Sequence, residues 1–202
     1  MQRLDHTAAS PEGYKKLLAV SAFLAHSGLE ANLMELISIR ASEINGCAWC
    51  LDFHSKRARH NGETEQRIYL LSGWRDAPVY SPRERAALEW TEALTLIAGR
   101  PVPDDLYQRA REHFSEAELA NLTIDVGLIN VWNRINVAFH TDLGSVPQFT
   151  AEPASASSKC SGRAFGDFDW FGNIVQLAFR KQQTPDAAEI VQRPTALMHV
   201  GG

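Results

Sequence analysis

Apolar residues recur at intervals of three and four through most of residues 11–140, and this spacing is the feature that most constrains the fold. It is the period of an amphipathic α-helix. No segment alternates between apolar and polar residues as a half-buried strand does. The sequence therefore predicts an all-α fold. The apolar members of the two clearest stripes are Leu33, Leu36, Ile37, Ala41 and Ile44, and Leu119, Leu122, Val126, Ile129 and Trp132.

Signals for helix starts and helix ends divide this pattern into separate helices. Ser81 and Glu84 have the spacing of a capping box, in which a serine and a glutamate satisfy free backbone N–H groups. Gly46 and Gly62 each follow an asparagine, and such pairs end helices because both residue types tolerate the left-handed conformation. The predicted starts are Ser10, Cys47, Thr64, Ser81, Asp104 and Ser115, and the helix after Thr64 is expected to carry Ile68, Leu71 and Trp74.

The length and composition of the chain suit one well-packed domain. It has 202 residues, of which 45% are hydrophobic. We expect the helical domain to span residues 1–143. From Gly144 onward the chain is rich in Pro, Ser and Ala and can bury little apolar surface, so residues 144–202, which include Cys160, are interpreted as a poorly structured C-terminal extension. Within it, residues 170–180 have helical spacing and are expected either to dock as a short helix or to remain unstructured.

Charge and hydropathy exclude two classes of partner. The net charge is −4, and the 20 basic residues are interspersed with 24 acidic ones, so we expect no nucleic-acid surface. No apolar run reaches the roughly 18 residues that a membrane span needs, and residues 1–6 lack the apolar core of a signal peptide. We therefore expect a cytoplasmic protein. Three cysteines are too few for a disulfide framework.

Two thiols and an imidazole lie within eight residues of each other, at Cys47, Cys50 and His54. If a helix starts at Cys47, these side chains share one face, because residues three and four apart lie together on a helix. The free backbone N–H groups and the dipole at a helix start favour a thiolate over a thiol, and the thiolate is the nucleophile.

Three interpretations of this cluster are open. The residues are buried small side chains, which is common for free cysteine. They are part of a zinc site, for which Cys47, Cys50 and His54 supply three ligands and no second pair of cysteines or histidines supplies the fourth. They carry out thiol redox chemistry, in which one thiolate attacks an electrophilic oxygen or sulfur and the other thiol closes a disulfide. His54 would then accept the proton of Cys50, and a carboxylate would orient the imidazole.

The order of Glu35, Cys47, Cys50 and His54, with these spacings, resembles the superfamily of alkylhydroperoxidase D (AhpD)-like proteins and carboxymuconolactone decarboxylases. The resemblance extends over about residues 12–142. It includes four further segments, at residues 39–42, 62–67, 84–93 and 130–134.

The resemblance implies roles for these four residues. Cys50 would attack the peroxide and pass through a sulfenic acid, and Cys47 would donate a proton and then form the disulfide. His54 would relay protons, and Glu35 would orient and charge His54 from the preceding helix. Without the resemblance, Glu35 is predicted to be solvent-exposed, because it lies away from the apolar stripe of its helix.

The resemblance also implies an AhpD-like helical bundle that is an obligate homo-oligomer, as a trimer or a hexamer. The leading hypothesis is a thiol peroxidase that binds no cofactor and is recycled by a lipoylated or thioredoxin-like dithiol protein. The alternatives are a lyase of the carboxymuconolactone decarboxylase type and a non-catalytic redox sensor. One departure from the family pattern is Trp49, which stands between the cysteines where the best-known peroxidase of the family has a histidine.

Overall fold

The computed structural model describes residues 1–149 of the chain. Within them the chain forms α-helices and two short 3-10 turns, and it contains no strand. The all-α prediction is therefore confirmed for this part of the protein. The helices are α1 (His6–Ala9), α2 (Pro11–Ala25), α3 (Ala31–Asn45), α4 (Ala48–His60), α5 (Glu65–Tyr69), α6 (Pro82–Thr95), α7 (Asp104–Arg111) and α8 (Glu116–Phe139), and the 3-10 turns are Leu71–Gly73 and Leu143–Ser145.

The C-terminal part of the chain lies outside this description. Residues 150–202 include the candidate helix at residues 170–180 and Cys160. The division of the chain into residues 1–143 and 144–202 stays a prediction.

Helix boundaries agree with the predicted signals at most positions. Ser81 and Ser115 both form complete capping boxes, at the starts of α6 and α8. Gly46 ends α3 in the left-handed conformation, with φ 67°, and Gly62 follows α4 with φ 89°. These two glycines allow the chain to reverse direction on either side of α4.

The helix predicted after Thr64 is shorter than expected. It ends at Tyr69, and Leu71 and Trp74 reach the core from a 3-10 turn and the residue that follows it. The reason is tertiary: the loop before α6 folds back onto α5, where the hydroxyl of Tyr80 donates to the backbone carbonyl of Arg67. This contact lies outside the local pattern from which the helix was predicted.

α3 is the central helix of the bundle, and it packs against α4, α6 and α8. It contributes a side chain to each of three buried apolar clusters: Ile37 to the cluster with α6, α7 and α8, Leu36 to the cluster with α4 and α6, and Ala41 to the cluster that contains Cys47 and Cys50. Because α3 is covered on several sides, even polar residues on it are buried. None of the helices in residues 1–149 is long and apolar enough to cross a membrane.

Candidate functional site

The junction between α3 and α4 places the two cysteines. Gly46 adopts the left-handed conformation, so a single residue turns the chain out of α3 and makes Cys47 the N-cap of α4. The backbone N–H of Cys47 donates to the carbonyl of Ser42 at 3.0 Å, which fixes the turn. Cys50 lies one turn into α4, and its backbone N–H donates to Cys47 Sγ at 3.3 Å. Cys47 therefore holds the position where a helix stabilises negative charge.

The two thiols are in contact with each other and are shielded from solvent. Both cysteines are free, their Sγ atoms lie 2.6 Å apart, and each residue is only 1% exposed. Ala41 and Ile129 complete the buried cluster around them. Trp49 and Trp132 pack against this cluster from outside. The two Sγ atoms therefore form a hydrogen bond with each other in an apolar environment.

The environment favours negative charge on Cys47 rather than on Cys50. The hydrogen bond from Cys50 lowers the pKa of Cys47 to about 7, against the effect of burial, and the backbone N–H of Cys50 lowers it further. The same contact with Cys47, together with burial, raises the pKa of Cys50 well above its usual value. Asn136 donates from Nδ2 to Cys50 Sγ at 3.3 Å and partly opposes this rise. As pH rises through about 7, the pair therefore loses its first proton from Cys47, and Cys50 stays a thiol.

A second cluster joins α3 to α4 through Glu35. Its Oε2 lies 2.8 Å from Nδ1 of His54, and its Oε1 accepts a hydrogen bond from Nε of Arg57. Glu35 is 2% exposed, so the prediction of a solvent-exposed glutamate, made from its position off the apolar stripe, is wrong. The reason is that α4, α6 and α8 cover α3 on several sides, and Ser38 and Ser42 on the same helix are also buried. Burial of a carboxylate is tolerated here because both of its oxygens accept charge-assisted hydrogen bonds.

Both partners of this hydrogen bond have a lowered pKa, for different physical reasons. Burial acts to raise the pKa of Glu35, but the charge of Arg57 and the bond from His54 outweigh it and hold that pKa below its usual value. Burial lowers the pKa of His54, and Glu35 offsets part of that effect. His54 is therefore neutral near pH 7 beside an ionised Glu35. Because a carboxylate only accepts hydrogen bonds, the proton of neutral His54 is on Nδ1, and Nε2 carries the lone pair that acts as a base.

Sequence reasoning missed the contribution of α8 to this site. Asn136 bonds to Cys50, and Asn133 donates to Ser42 Oγ at 2.9 Å while its Oδ1 accepts from Asn45 at 2.8 Å. Both asparagines are buried. The sequence does show polar residues among the apolar ones of α8, which could have indicated a polar site. The structure buries three of them, Asp125, Asn133 and Asn136. Arg57 was also missed, because a basic residue on a helix is usually a surface residue.

The segment after α8 lies against the outer side of the cysteine helix. Nε1 of Trp49 donates to Ser145 Oγ at 2.9 Å, and the Trp49 ring stacks on Phe53 with centroids 5.2 Å apart. Phe149 packs edge-on against Phe53 at 5.5 Å. Trp49 is thereby held against the cluster that contains the thiols.

The described residues do not support a metal site. Within residues 1–149, no group of three or more His, Cys, Asp or Glu side chains is arranged to hold a metal ion. The Nδ1 atom of His54 bonds to Glu35, whose other carboxylate oxygen accepts from Arg57. These side chains instead form two separate contacts, one between His54 and Glu35 and one between the two thiols.

Comparison with known proteins gives consistent matches. The carboxymuconolactone decarboxylase family model matches residues 11–93. The chain is 45% identical over 137 residues to the uncharacterized protein YdfG of Bacillus subtilis, an alignment that covers 68% of this chain and 93% of YdfG.

Solved structures give the same assignment. A protein of unknown function from Agrobacterium tumefaciens, for which a role in antioxidant defence as AhpD is suggested, is 46% identical; the match covers 70% of this chain and 97% of that one, with a TM-score of 0.68. An uncharacterized peroxidase-related protein from Ralstonia eutropha, described as an alkylhydroperoxidase AhpD core, is 20% identical. That match covers 66% of this chain and 72% of that one, with a TM-score of 0.60, and it shows likeness of fold alone.

Proposed function

Because this chain belongs to the carboxymuconolactone decarboxylase family, within the AhpD-like superfamily, we propose that it is a thiol peroxidase of the alkylhydroperoxidase type. The observation that carries the proposal is the contact between Cys47 and Cys50 at a helix start, with His54 four residues after Cys50 on the same helix and hydrogen-bonded to Glu35. A dithiol with one stabilised thiolate and a neighbouring base is suited to two-electron reduction of an O–O bond.

The first step is attack on the hydroperoxide by Cys50. Cys47 carries the negative charge at rest and takes the S–H proton of Cys50 as the peroxide approaches. A bond forms between Cys50 Sγ and one peroxide oxygen, the O–O bond breaks, and the alkoxide leaves with the proton that Cys47 received. Cys50 is thereby oxidised to a sulfenic acid, the hydroperoxide is reduced to an alcohol, and Cys47 is again a thiolate.

The second step closes the disulfide. The Cys47 thiolate attacks the sulfur of the Cys50 sulfenic acid, the S–O bond breaks, and hydroxide leaves as water with one proton from solvent, which His54 takes up on Nε2 and passes on. Glu35 holds the Nδ1 side of the imidazole, so that Nε2 is the atom that gains and loses the proton. The contact between the two sulfurs supports this step, because resolution needs the second thiol at hand before further oxidation occurs.

The catalytic cycle needs a reductant from outside the chain. A dithiol protein, lipoylated or thioredoxin-like, would reduce the disulfide by two thiol–disulfide exchanges and leave both cysteines reduced. No bound cofactor is required for these steps. We place the enzyme in the cytoplasm, where such reductants are kept reduced.

We also propose that the protein is a homo-oligomer, a trimer or a hexamer. Apolar side chains that are exposed on two adjacent helices support this part of the proposal. They are Val20 and Phe23 on α2, and Ile124, Val131 and Val137 on α8.

Turnover tests the proposal. With an organic hydroperoxide and dihydrolipoamide or reduced thioredoxin as the electron donor, we expect continuous hydroperoxide consumption that Cys50→Ser abolishes. His54→Gln should slow it by about a hundredfold or more, the usual contribution of a proton-transfer group. His60→Gln, at the end of the same helix, is the matched control and should keep full activity.

Two results would favour the alternatives. Formation of the Cys47–Cys50 disulfide without turnover in the presence of these electron donors would favour the non-catalytic redox sensor. Conversion of a lactone carboxylate in Cys50→Ser would identify a lyase in which the thiol pair has no part.

A further inference from the structure

Asn136 is a residue of α8 that touches the thiol pair directly. Its Nδ2 atom donates to Cys50 Sγ at 3.3 Å, and the residue is only 6% exposed. Cys50 directs its own proton to Cys47, so its sulfur offers a lone pair to any other partner. A lone pair accepts from an N–H group and not from a carbonyl oxygen. The amide nitrogen of Asn136 is therefore the atom that suits this contact.

The packing of α8 on α3 fixes the position of Asn136. One turn earlier, Asn133 donates to Ser42 Oγ at 2.9 Å and accepts from Asn45 at 2.8 Å, in the last turn of α3. Residues three apart lie on the same face of a helix, so this anchor also directs Asn136 toward the thiols. The backbone N–H of Thr141 donates to the carbonyl of Asn136 at 3.1 Å, where α8 ends. The donor is therefore in place before any reaction starts.

Other features of the site oppose a negative charge on Cys50. Its sulfur lies in a buried apolar cluster, and burial raises its pKa. The charge that acts on Cys50 is that of Cys47, and it also raises the pKa of Cys50. The amides of Asn136 and Asn133 lower that pKa, and Asn136 has the larger effect of the two. Asn136 therefore favours the charged form of Cys50 at a site that otherwise disfavours it.

The hydrogen bond from Asn136 should strengthen as Cys50 reacts. The sulfur of a thiol is a weak acceptor, whereas a thiolate is charged and accepts strongly. When Cys47 takes the proton of Cys50, the negative charge moves onto Cys50 Sγ, and this is the state in which the sulfur attacks. An interaction that is weak before the reaction and strong during it lowers the barrier of the reaction.

We propose that Asn136 is a catalytic residue that stabilises the attacking form of Cys50 through its Nδ2–H group, and this rests on the proposed function. In the step, the S–H proton of Cys50 goes to Cys47, the Cys50 thiolate bonds to one oxygen of the hydroperoxide, and the O–O bond breaks. The alkoxide leaves with the proton from Cys47, and the hydroperoxide is reduced as Cys50 is oxidised. Asn136 keeps both of its amide protons and contributes the hydrogen bond to the sulfur.

The thiolate of Cys50 is studied separately in the Cys47→Ser background, which removes the charge that opposes it. Alkylation of Cys50 by iodoacetamide is followed against pH, and peptide mapping by mass spectrometry separates it from Cys160. Asn136→Leu keeps the approximate volume of the side chain and removes the donor. We expect the midpoint of the Cys50 profile to lie about one pH unit higher in Asn136→Leu, the effect of losing one hydrogen bond to a charged group.

Asn121→Leu is the matched control, since Asn121 is a partly buried asparagine of α8 whose Nδ2 atom donates to the backbone carbonyl of Ser27. Its Cys50 profile should equal that of the Cys47→Ser background. A purely structural role of Asn136 would loosen the packing around the thiols and raise the alkylation rate at every pH without moving the midpoint. Coincident midpoints for Asn136→Leu and Asn121→Leu would therefore overturn the proposal.

NMR provides a second test that leaves α8 unchanged. In Cys47→Ser, the side-chain amide resonances of Asn136 should shift with the same midpoint as the alkylation of Cys50, because this amide bonds to the sulfur that titrates. The side-chain amide resonances of Asn121 should not shift. If the resonances of Asn136 stay constant while Cys50 titrates, the proposal is wrong.

Oxidation by hydroperoxide separates this proposal from the function on which it rests. With both cysteines present, Asn136→Leu should form the Cys47–Cys50 disulfide about tenfold more slowly than the natural protein, and Asn121→Leu should form it at the natural rate. If the midpoints move as expected but hydroperoxide leaves the thiols unreacted, the peroxidase is wrong, and Asn136 stabilises Cys50 for another electrophile. If the disulfide forms equally fast in both variants, the peroxidase stands and the catalytic role of Asn136 is wrong.

Discussion

Cys47 and Cys50 are the same residue type, three positions apart and equally buried, yet their pKa values move in opposite directions. The first cause is the hydrogen bond between the two sulfurs, in which Cys50 is the donor and Cys47 the acceptor. Cys47, as the N-cap, also accepts the backbone N–H of Cys50, which lowers its pKa further. The thiol at the helix start is therefore the one that ionises first.

The first prediction concerns the pH dependence of thiol alkylation. The rate of reaction with iodoacetamide should rise with pH through about 7 and level off above it, because the Cys47 thiolate forms over that range. Peptide mapping by mass spectrometry should place the first label on Cys47. A rise centred near 8.5, the value of an unperturbed thiol, would contradict the stabilised thiolate.

The second prediction concerns the stability contributed by Asp125. Its pKa is about 7 in the folded protein and 3.8 without the protein environment. A raised carboxyl pKa contributes stability that is fully present below about pH 4 and is lost as pH rises through 7. Between pH 5 and pH 8 the natural protein should lose about 2–3 kcal/mol from this group, and Asp125→Asn should not.

Urea denaturation of both proteins at pH 5 and pH 8 measures this difference. The free energy of unfolding of Asp125→Asn, relative to the natural protein, should increase from pH 5 to pH 8. Asp52→Asn, which alters a carboxylate of α4 that pairs with Lys56, should show no such increase. An equal difference at both pH values would mean that Asp125 is ionised throughout the range.

At the scale of the elements, the turn between α3 and α4 joins the helix of Glu35 to the helix of the two thiols and His54. Glu35 is on α3 and the other three predicted site residues are on or next to α4. Gly46 allows α4 to start immediately after α3 with Cys47 as its cap. The geometry of the site thus depends on one residue with a positive φ angle.

The third prediction is that Gly46→Ala destabilises the protein and changes the thiol chemistry. An L-residue at φ 67° costs about 1–2 kcal/mol, and relaxation of this turn should displace Cys47 from the N-cap and raise its pKa. Thermal unfolding and the alkylation profile measure the two effects. Gly127→Ala is the control with the opposite sign: it lies in α8 with nothing near the added methyl group, so it should stabilise by about 0.5–1 kcal/mol.

The elements themselves were largely predictable because their signals are local. The capping boxes at Ser81 and Ser115 and the stop at Gly46 are formed within a few residues, and the structure has them where the sequence indicated. The early end of α5 was not predictable, because it depends on Tyr80, 13 residues from its partner Arg67. Contacts between segments that are distant in the sequence therefore determine where this helix ends.

The same distinction applies to the site. Cys47, Cys50 and His54 were placed on one helix by spacing alone. The burial of Glu35 needed knowledge of what covers α3, and the contact of Asn136 with Cys50 needed the packing of α8 on α4. The polar residues of α8 are visible in the sequence, but the residues that they contact across the bundle are not.

At the scale of the whole molecule, access to the thiols is the dominant question. Each cysteine is 1% exposed, so a substrate reaches them only if neighbouring groups move. Trp49 packs on the thiol cluster and is held by Ser145, in the turn that follows α8. The turn after α8 therefore helps to hold Trp49 over the thiols.

The fourth prediction is that Ser145→Ala makes the thiols more accessible. Loss of the hydrogen bond from Trp49 Nε1 removes about 1 kcal/mol of the free energy that holds Trp49 against the thiol cluster. Alkylation of the thiols should therefore accelerate by up to roughly fivefold, with little change in Tm. Leu143→Ala, an exposed side chain of the same 3-10 turn, is the control and should not alter the rate. Equal rates in the natural protein and Ser145→Ala would show that Trp49 does not limit access.

The central claim is that the dithiol reacts with hydroperoxide, and stoichiometric oxidation tests it most directly. One equivalent of an organic hydroperoxide is added to the reduced protein, and the cysteines are mapped by mass spectrometry, with Cys47→Ser and Cys50→Ser treated in parallel with a sulfenic-acid trap. The account predicts a Cys47–Cys50 disulfide in the natural protein and a trapped sulfenic acid on Cys50 in Cys47→Ser. Trapping on Cys47 alone would reverse the two thiol roles, and thiols left unreacted by the hydroperoxide would contradict the peroxidase itself.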